Sequence, residues 1–192
     1  MQVDEPDQIG RYVFPNAGEP VRRLTASTSL ALTPIKVCAA RDEVAPLLAP
    51  PWMIDRVLPM MTKPALEASE TSTAEGYATL VAGAGDVLIA MAVTNTHDIV
   101  AGGRVALIDD VAVFDQIWTH EAHRRRRLGS RVMRTLENVA VQRGAIRGML
   151  VATEAGCSLY STLGWRVYAP YTTAIVPMIN QPGSTVRSSP AP

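Results

Sequence analysis

The chain has 192 residues, 47% of them hydrophobic, with 18 basic and 18 acidic side chains and a formal net charge of +0. That length suits one compact domain with short tails. A neutral chain has no overall field drawing it to nucleic acid or anionic lipid, and no apolar run approaches the roughly 20 residues that span a bilayer, so neither nucleic acid nor membrane is an expected partner. Cys38 and Cys157 have no metal-ligand or disulfide-framework spacing. Met1-Gln2-Val3-Asp4-Glu5 has no basic stretch followed by an apolar run. Reduced thiols and a cytoplasmic location are the expectation.

Residues 1–23 mix Pro, Gly and charge without a period and read as an N-terminal extension. The folded domain is expected over residues 24–179. Residues 180–192, with Pro182, Gly183 and Pro190-Ala191-Pro192, read as a flexible C-terminal tail. Ile35 to Cys38 is a first candidate strand. Asp42 can cap a helix through Val44, Leu47 and Leu48 that Pro50-Pro51 ends, and Trp52 to Met61 reads as a second helix interrupted at Pro59. Tyr77–Val81 and Val87–Val93 read as strands joined by the turn Gly83-Ala84-Gly85-Asp86. That GxG joins strand to strand, so it is no dinucleotide fingerprint. His97 to Arg104 reads as a loop around Gly102-Gly103.

Val111 to Thr119 is a long strand, with Val111, Val113, Asp115, Ile117 and Thr119 on one face by simple alternation. Leu128 to Arg143 is the clearest helix, because Val132, Leu136, Val139, Ala140 and Arg143 recur at helical spacing and Gly144 can end it. Gly148–Thr153 is an apolar strand, Gly156–Leu163 a short helix closed by Gly164, and Trp165–Tyr168 with Thr172–Val176 a closing pair around Pro170.

His123-Arg124-Arg125-Arg126-Arg127-Leu128-Gly129-Ser130 lies between the long strand and the clear helix. A helix N-terminus offers unpaired N–H groups and partial positive charge, so a strand running into one makes a diphosphate cradle, and arginines at its mouth add charge-assisted bonds. With Leu150-Val151-Ala152-Thr153 and Leu159-Tyr160-Ser161-Thr162-Leu163-Gly164-Trp165 downstream, the stretch from Leu107 to Val176 resembles the GNAT superfamily. That family's acetyl-CoA loop follows Gln/Arg-x-x-Gly-x-Gly/Ala between its fourth strand and third helix. Arg124 stands at the first position and Gly129 at the last, while Arg127 stands where the family usually has glycine.

The resemblance implies a GNAT fold of the α/β class: a mixed, mostly antiparallel sheet of six or seven strands with about four helices. It implies an N-acetyltransferase that moves acetyl from acetyl-CoA to a small-molecule amine or amino-acid-like substrate by direct attack in a ternary complex, with no metal. It also allows a homodimer. Backbone groups at Ile117, Trp118 and Thr119 would hold the pantetheine arm. Arg124, Arg125, Arg126, Arg127, Leu128, Gly129 and Ser130 would hold the diphosphate. Tyr160 matches the family's general acid. Asp115 interrupts an apolar strand face, where desolvation would raise its pKa, and is a candidate base; its alternative is an ion pair with Arg104. His120 is a second candidate. Trp52, Met60-Met61 and Tyr168 to Tyr171 would form the rim of the amine pocket. His120-Glu121-Ala122-His123 spaces its histidines i and i+3, unlike the zinc-helix pattern. With Arg127 in the loop, the other reading is a catalytically degenerate acyl-CoA-binding or regulatory module.

Overall fold

A computed structural model describes residues 2–5, 8–71 and 75–178. The elements run β1 (Gln2–Glu5), β2 (Gln8–Gly10), β3 (Tyr12–Phe14), α1 (Glu19–Ser27), β4 (Ile35–Val37), α2 (Arg41–Val44) and β5 (Met53–Lys63). There follow β6 (Tyr77–Ala84), β7 (Val87–Thr94), β8 (Ile99–Ile108), β9 (Val111–Thr119), α3 (Leu128–Gln142), β10 (Arg147–Val151), α4 (Glu154–Thr162) and β11 (Arg166–Ile175). The protein is of the α/β class with four α-helices among the described residues, and it has more strands than the six or seven the sequence suggests. No helix among the described residues is long and apolar enough to cross a membrane.

The chain divides into two compact units, Met61–Val167 and the remainder, each with its own core. In the unit built from the N-terminal 60 residues and the segment from Tyr168, β3 runs parallel to β4, and β4 antiparallel to β11. Val21, Ile35, Val37 and Val44 are fully buried there. Val21 lies on α1, so the aperiodic stretch to residue 23 holds structure that its mixed composition hid. The tail read at 180–192 lies outside the described residues.

In the unit Met61–Val167, β6, β7, β8 and β9 form an antiparallel run and β10 joins β9 in parallel, the mixed, mostly antiparallel pattern expected. Helix α3 packs on β7, β8 and β9 through Leu128, Val132, Met133, Leu136 and Ala140, all nearly fully buried. Each large side chain so buried contributes about 1.5–3 kcal/mol. Gly144 ends the helix at φ 91, with the Ala145 N–H reaching back to the Ala140 carbonyl.

Three local readings change. The helix read over Trp52–Met61 is strand β5: Pro59 cannot donate inside a helix, and the helix-forming Leu and Met residues around it are overridden by pairing. The loop read over His97–Arg104 is the first half of β8, whose glycines serve close packing. The closing pair around Pro170 is one continuous strand, β11.

One polar group sits in the core of the second unit. The Glu137 side chain is 1% exposed; it accepts from Lys63 Nζ at 2.8 Å and from Trp165 Nε1 at 2.8 Å. Trp165 packs edge-on against Phe114 with centroids 5.2 Å apart. Removing one partner of such a pair leaves a buried charge uncompensated. Lys63→Met is therefore expected to lower the urea unfolding free energy by about 3 kcal/mol; a loss below about 1 kcal/mol, the level of exposed pairs, would contradict this account.

Candidate functional site

Strand β10 follows β9 in register from Arg147↔Val111 to Leu150↔Phe114, while β9 continues to Thr119. Between the pairs Arg104↔Asp115 and Gly102↔Trp118, β9 takes three steps against two on β8. That count is a β-bulge, and Gln116, at φ 52, sits in it. Asp115 braces the bulge: its Oδ1 accepts the Gln116 N–H at 2.8 Å and its Oδ2 accepts Arg104 Nη2 at 2.8 Å. Past the bulge the alternation of faces reverses. Ile117 packs against the core that contains Phe114, over Gly103, where a Cβ would collide with Ile117 Cδ1. Trp118 turns to the other face, 39% exposed, with its indole against Gly102.

From Thr119 the chain makes a short 3-10 turn, Glu121–His123, which His120 caps by accepting the Ala122 N–H at 3.4 Å. The Arg loop follows. Arg125 has φ 63 and Arg127, the residue before α3, φ 60 and ψ 16. Both are left-handed, a conformation that costs a non-glycine residue about 1–3 kcal/mol. The first helical bond of α3 runs from the Arg131 N–H to the Arg127 carbonyl at 3.1 Å. Among the described residues the N–H groups of 125–130 have no backbone acceptor, as expected for a left-handed turn feeding a helix start. All four arginines are exposed, and among the described residues the guanidiniums of Arg125 and Arg127 have no acceptor. Gly129 keeps the approach open: a Cβ there would come 3.2 Å from Leu159 and 3.7 Å from Thr119 Oγ1. Unpaired N–H groups, a helix start and unpaired cations suit a diphosphate.

Tyr160 on α4 is 7% exposed, with its ring 6.5 Å from that of Trp165. Gly156 leaves the ring room one turn back, where a Cβ would stand 2.9 Å away. Burial, with smaller contributions from Cys157 and Asp115, pushes the Tyr160 phenol up to about 12. Among the described residues its hydroxyl has no hydrogen-bond partner.

The structure thus gathers Ile117, Trp118 and Thr119, the loop Arg124 to Ser130, and Tyr160 within one unit. Asp115 does not have the desolvated setting its strand position suggested. The bulge holds it at the surface, its side chain 50% exposed and both oxygens engaged, one in the Arg104 pair. Cys157 is one turn inside α4, its N–H already bonded to Thr153. Of the residues read as pocket rim, Trp52 and Met61 are core side chains. Sequence reasoning missed Gln116 and Tyr77. Paired glycines opposite Ile117-Trp118 were the available signal for the first. Nothing in the sequence ties Tyr77 to the loop.

A family model described as "Acetyltransferase (GNAT) family" matches residues 43–165, and the chain belongs to that family. No curated protein matches it. Among solved structures, a GCN5-related N-acetyltransferase from Kribbella flavida is 18% identical, with a TM-score of 0.60 over 76% of this chain and 68% of that one. A GNAT-family protein from Novosphingobium aromaticivorans DSM 12444 is 16% identical, with a TM-score of 0.59 over 84% and 83%. A GCN5-related N-acetyltransferase from Sphaerobacter thermophilus is 14% identical, with a TM-score of 0.57 over 78% and 62%. At these identities the likeness is one of fold.

With one oxygen of Asp115 in an exposed pair with Arg104 and the other on the Gln116 N–H, Asp115→Asn is expected to change stability by less than about 1 kcal/mol. The acidic limb of a kcat/KM profile for acetyl transfer is expected to stay in place. A flattened limb in the Asn variant would show that Asp115 takes the substrate's proton.

Proposed function

We propose that this protein is an acetyl-CoA-dependent N-acetyltransferase in which the amine attacks directly within a ternary complex. The observation that carries the proposal is the left-handed Arg125–Arg127 turn that presents the N–H groups of 125–130 at the start of α3, beyond the point where β9 has left β10. Bound acetyl-CoA supplies an activated thioester. The loop Arg124 to Ser130 would bind its diphosphate, and the free edge of β9 at Ile117, Trp118 and Thr119 would bind its pantetheine arm by backbone hydrogen bonds.

Tyr160 would face the leaving sulfur. A phenol raised to about 12 stays protonated throughout the working range, because a pKa raised by burial keeps the neutral form as pH rises. Full transfer of its proton to a thiolate near 8.5 is uphill by about 5 kcal/mol. Its contribution is therefore a hydrogen bond to the charge that grows on sulfur. The amine's proton is left to solvent or to His120, which is exposed just beyond β9. The proposed substrate is a small amine or an amino-acid-like molecule.

A second reading rests on the missing loop glycine: strain at Arg125 and Arg127 would suit a module that binds acyl-CoA without turning it over. One experiment separates the two. Acetyl-CoA at about 100 times Kd is expected to stabilise the fold by about 2.7 kcal/mol and to release thiol with some member of an amine panel. Tyr160→Phe should lower kcat by roughly 10²–10³, with the KM for acetyl-CoA little changed. A melt unmoved by millimolar acetyl-CoA would end the cofactor assignment, and stabilisation without thiol release would favour the binding module.

A further inference from the structure

The Arg loop lacks the glycine that would make a left-handed turn inexpensive, so something else must hold it. Tyr77, the first residue of β6, touches it from outside on both sides of Arg127. Its hydroxyl accepts from Arg126 Nη1 at 3.0 Å, and its carbonyl accepts from Arg131 Nη1 at 3.2 Å. The same hydroxyl lies 2.9 Å from His123 Nδ1, and the two rings meet edge to face with centroids 5.8 Å apart.

Donor counting fixes one of the directions. The guanidinium of Arg126 can only donate, and the phenol has one proton. In the tautomer of His123 that carries its hydrogen on Nε2, Nδ1 accepts that proton at 2.9 Å while a lone pair of the phenol oxygen takes the Arg126 N–H. His123 therefore aims the hydroxyl, and the hydroxyl holds Arg126. Arg126 lies between the two left-handed residues Arg125 and Arg127, and Arg131 donates its own N–H to the Arg127 carbonyl. Tyr77 thus binds Arg126, next to the strained Arg127, and Arg131, one helical turn after it.

We infer that Tyr77, oriented by His123, is a positioning residue that locks the glycine-free loop in its left-handed form before any ligand arrives, in the place of the missing glycine. It touches no reacting atom. Its effect is preorganisation, so it belongs to affinity for the diphosphate and not to the rate of acetyl transfer. The inference rests on the cofactor reading above only for the ligand. The locked loop itself is a property of the free protein.

The test uses Tyr77→Phe, which keeps the ring against His123 and removes the hydroxyl. Arg124 to Arg127 are exposed trypsin sites, so loop order in the ligand-free protein can be read as the rate at which peptides ending there appear by mass spectrometry. Cleavage is expected to speed up about tenfold, and the acetyl-CoA Kd to rise about tenfold, or roughly 1.4 kcal/mol, with kcat at saturating acetyl-CoA unchanged. Adding Arg127→Gly to Tyr77→Phe should slow cleavage at Arg124 to Arg126 again, because glycine adopts the turn without strain. A merely structural loss would not be rescued in this way. Should Tyr77→Phe fold poorly, Arg126→Gln tests the same bond from the loop side and should speed cleavage at the remaining arginines. Wild-type cleavage in both single variants, or a double variant as loose as Tyr77→Phe, would overturn the inference. Faster cleavage rescued by glycine in a protein that binds no acetyl-CoA would uphold the lock and fail the cofactor reading instead.

Discussion

One extra residue in β9 sets the geometry of the site. Up to Phe114 the strand is held between β8 and β10; at Gln116 it bulges, and beyond it, among the described residues, Trp118 and Thr119 pair with β8. Bulges bend a strand and re-aim its side chains. Here the bend frees one backbone edge, turns Ile117 into the core and Trp118 out of it, and aims the chain at the start of α3. Asp115 and Arg104 secure the bend from the surface, and Gly102 and Gly103 make space for what it displaces. The part of β9 beyond Phe114 and the Arg loop after it both follow that departure.

Helix α3 supplies the second half of the site and the anchor for it. Leu128 and Val132 bury its first turns, so the helix start is fixed even though Arg127 offers no side-chain cap. The N–H groups it leaves unpaired are costly for folding alone and useful for an anion. The same helix carries Glu137, whose ion pair with Lys63 and bond to Trp165 hold the aromatic wall against which Tyr160 packs. The Arg loop and the aromatic wall beside Tyr160 are thus both braced by α3. Strain at Arg125 and Arg127 is tolerated because the surrounding contacts over-determine the loop, the general condition for strain at functional sites.

Much of this is written locally in the sequence. The period of Val132, Leu136 and Ala140 gives α3, Gly144 gives its end, and the placing of four arginines between a strand and that helix marks the loop proposed to hold an anion. Those signals depend on residues within one or two turns of each other. Where tertiary packing decides, local reading fails. β5 is built from residues that also suit a helix, and the glycines of β8 read as a loop until Ile117 and Trp118 are seen to need the space. The bulge could not be read from alternation, since one inserted residue reverses every assignment after it and placed Asp115 on the face of Ile117. Tyr77 and His123 meet across 46 positions in the chain, and no local pattern announces such a pair.

The central claim is that the amides of residues 125–130 receive the diphosphate of the cofactor. Its most direct test is a titration of the backbone-labelled protein with acetyl-CoA, followed by amide resonances. The account predicts the largest downfield shifts at residues 125–130, with smaller changes at Ile117 to Thr119, and loss of the loop shifts when a pantetheine fragment without diphosphate is used. Saturable binding that leaves the amides of 125–130 unmoved would contradict it.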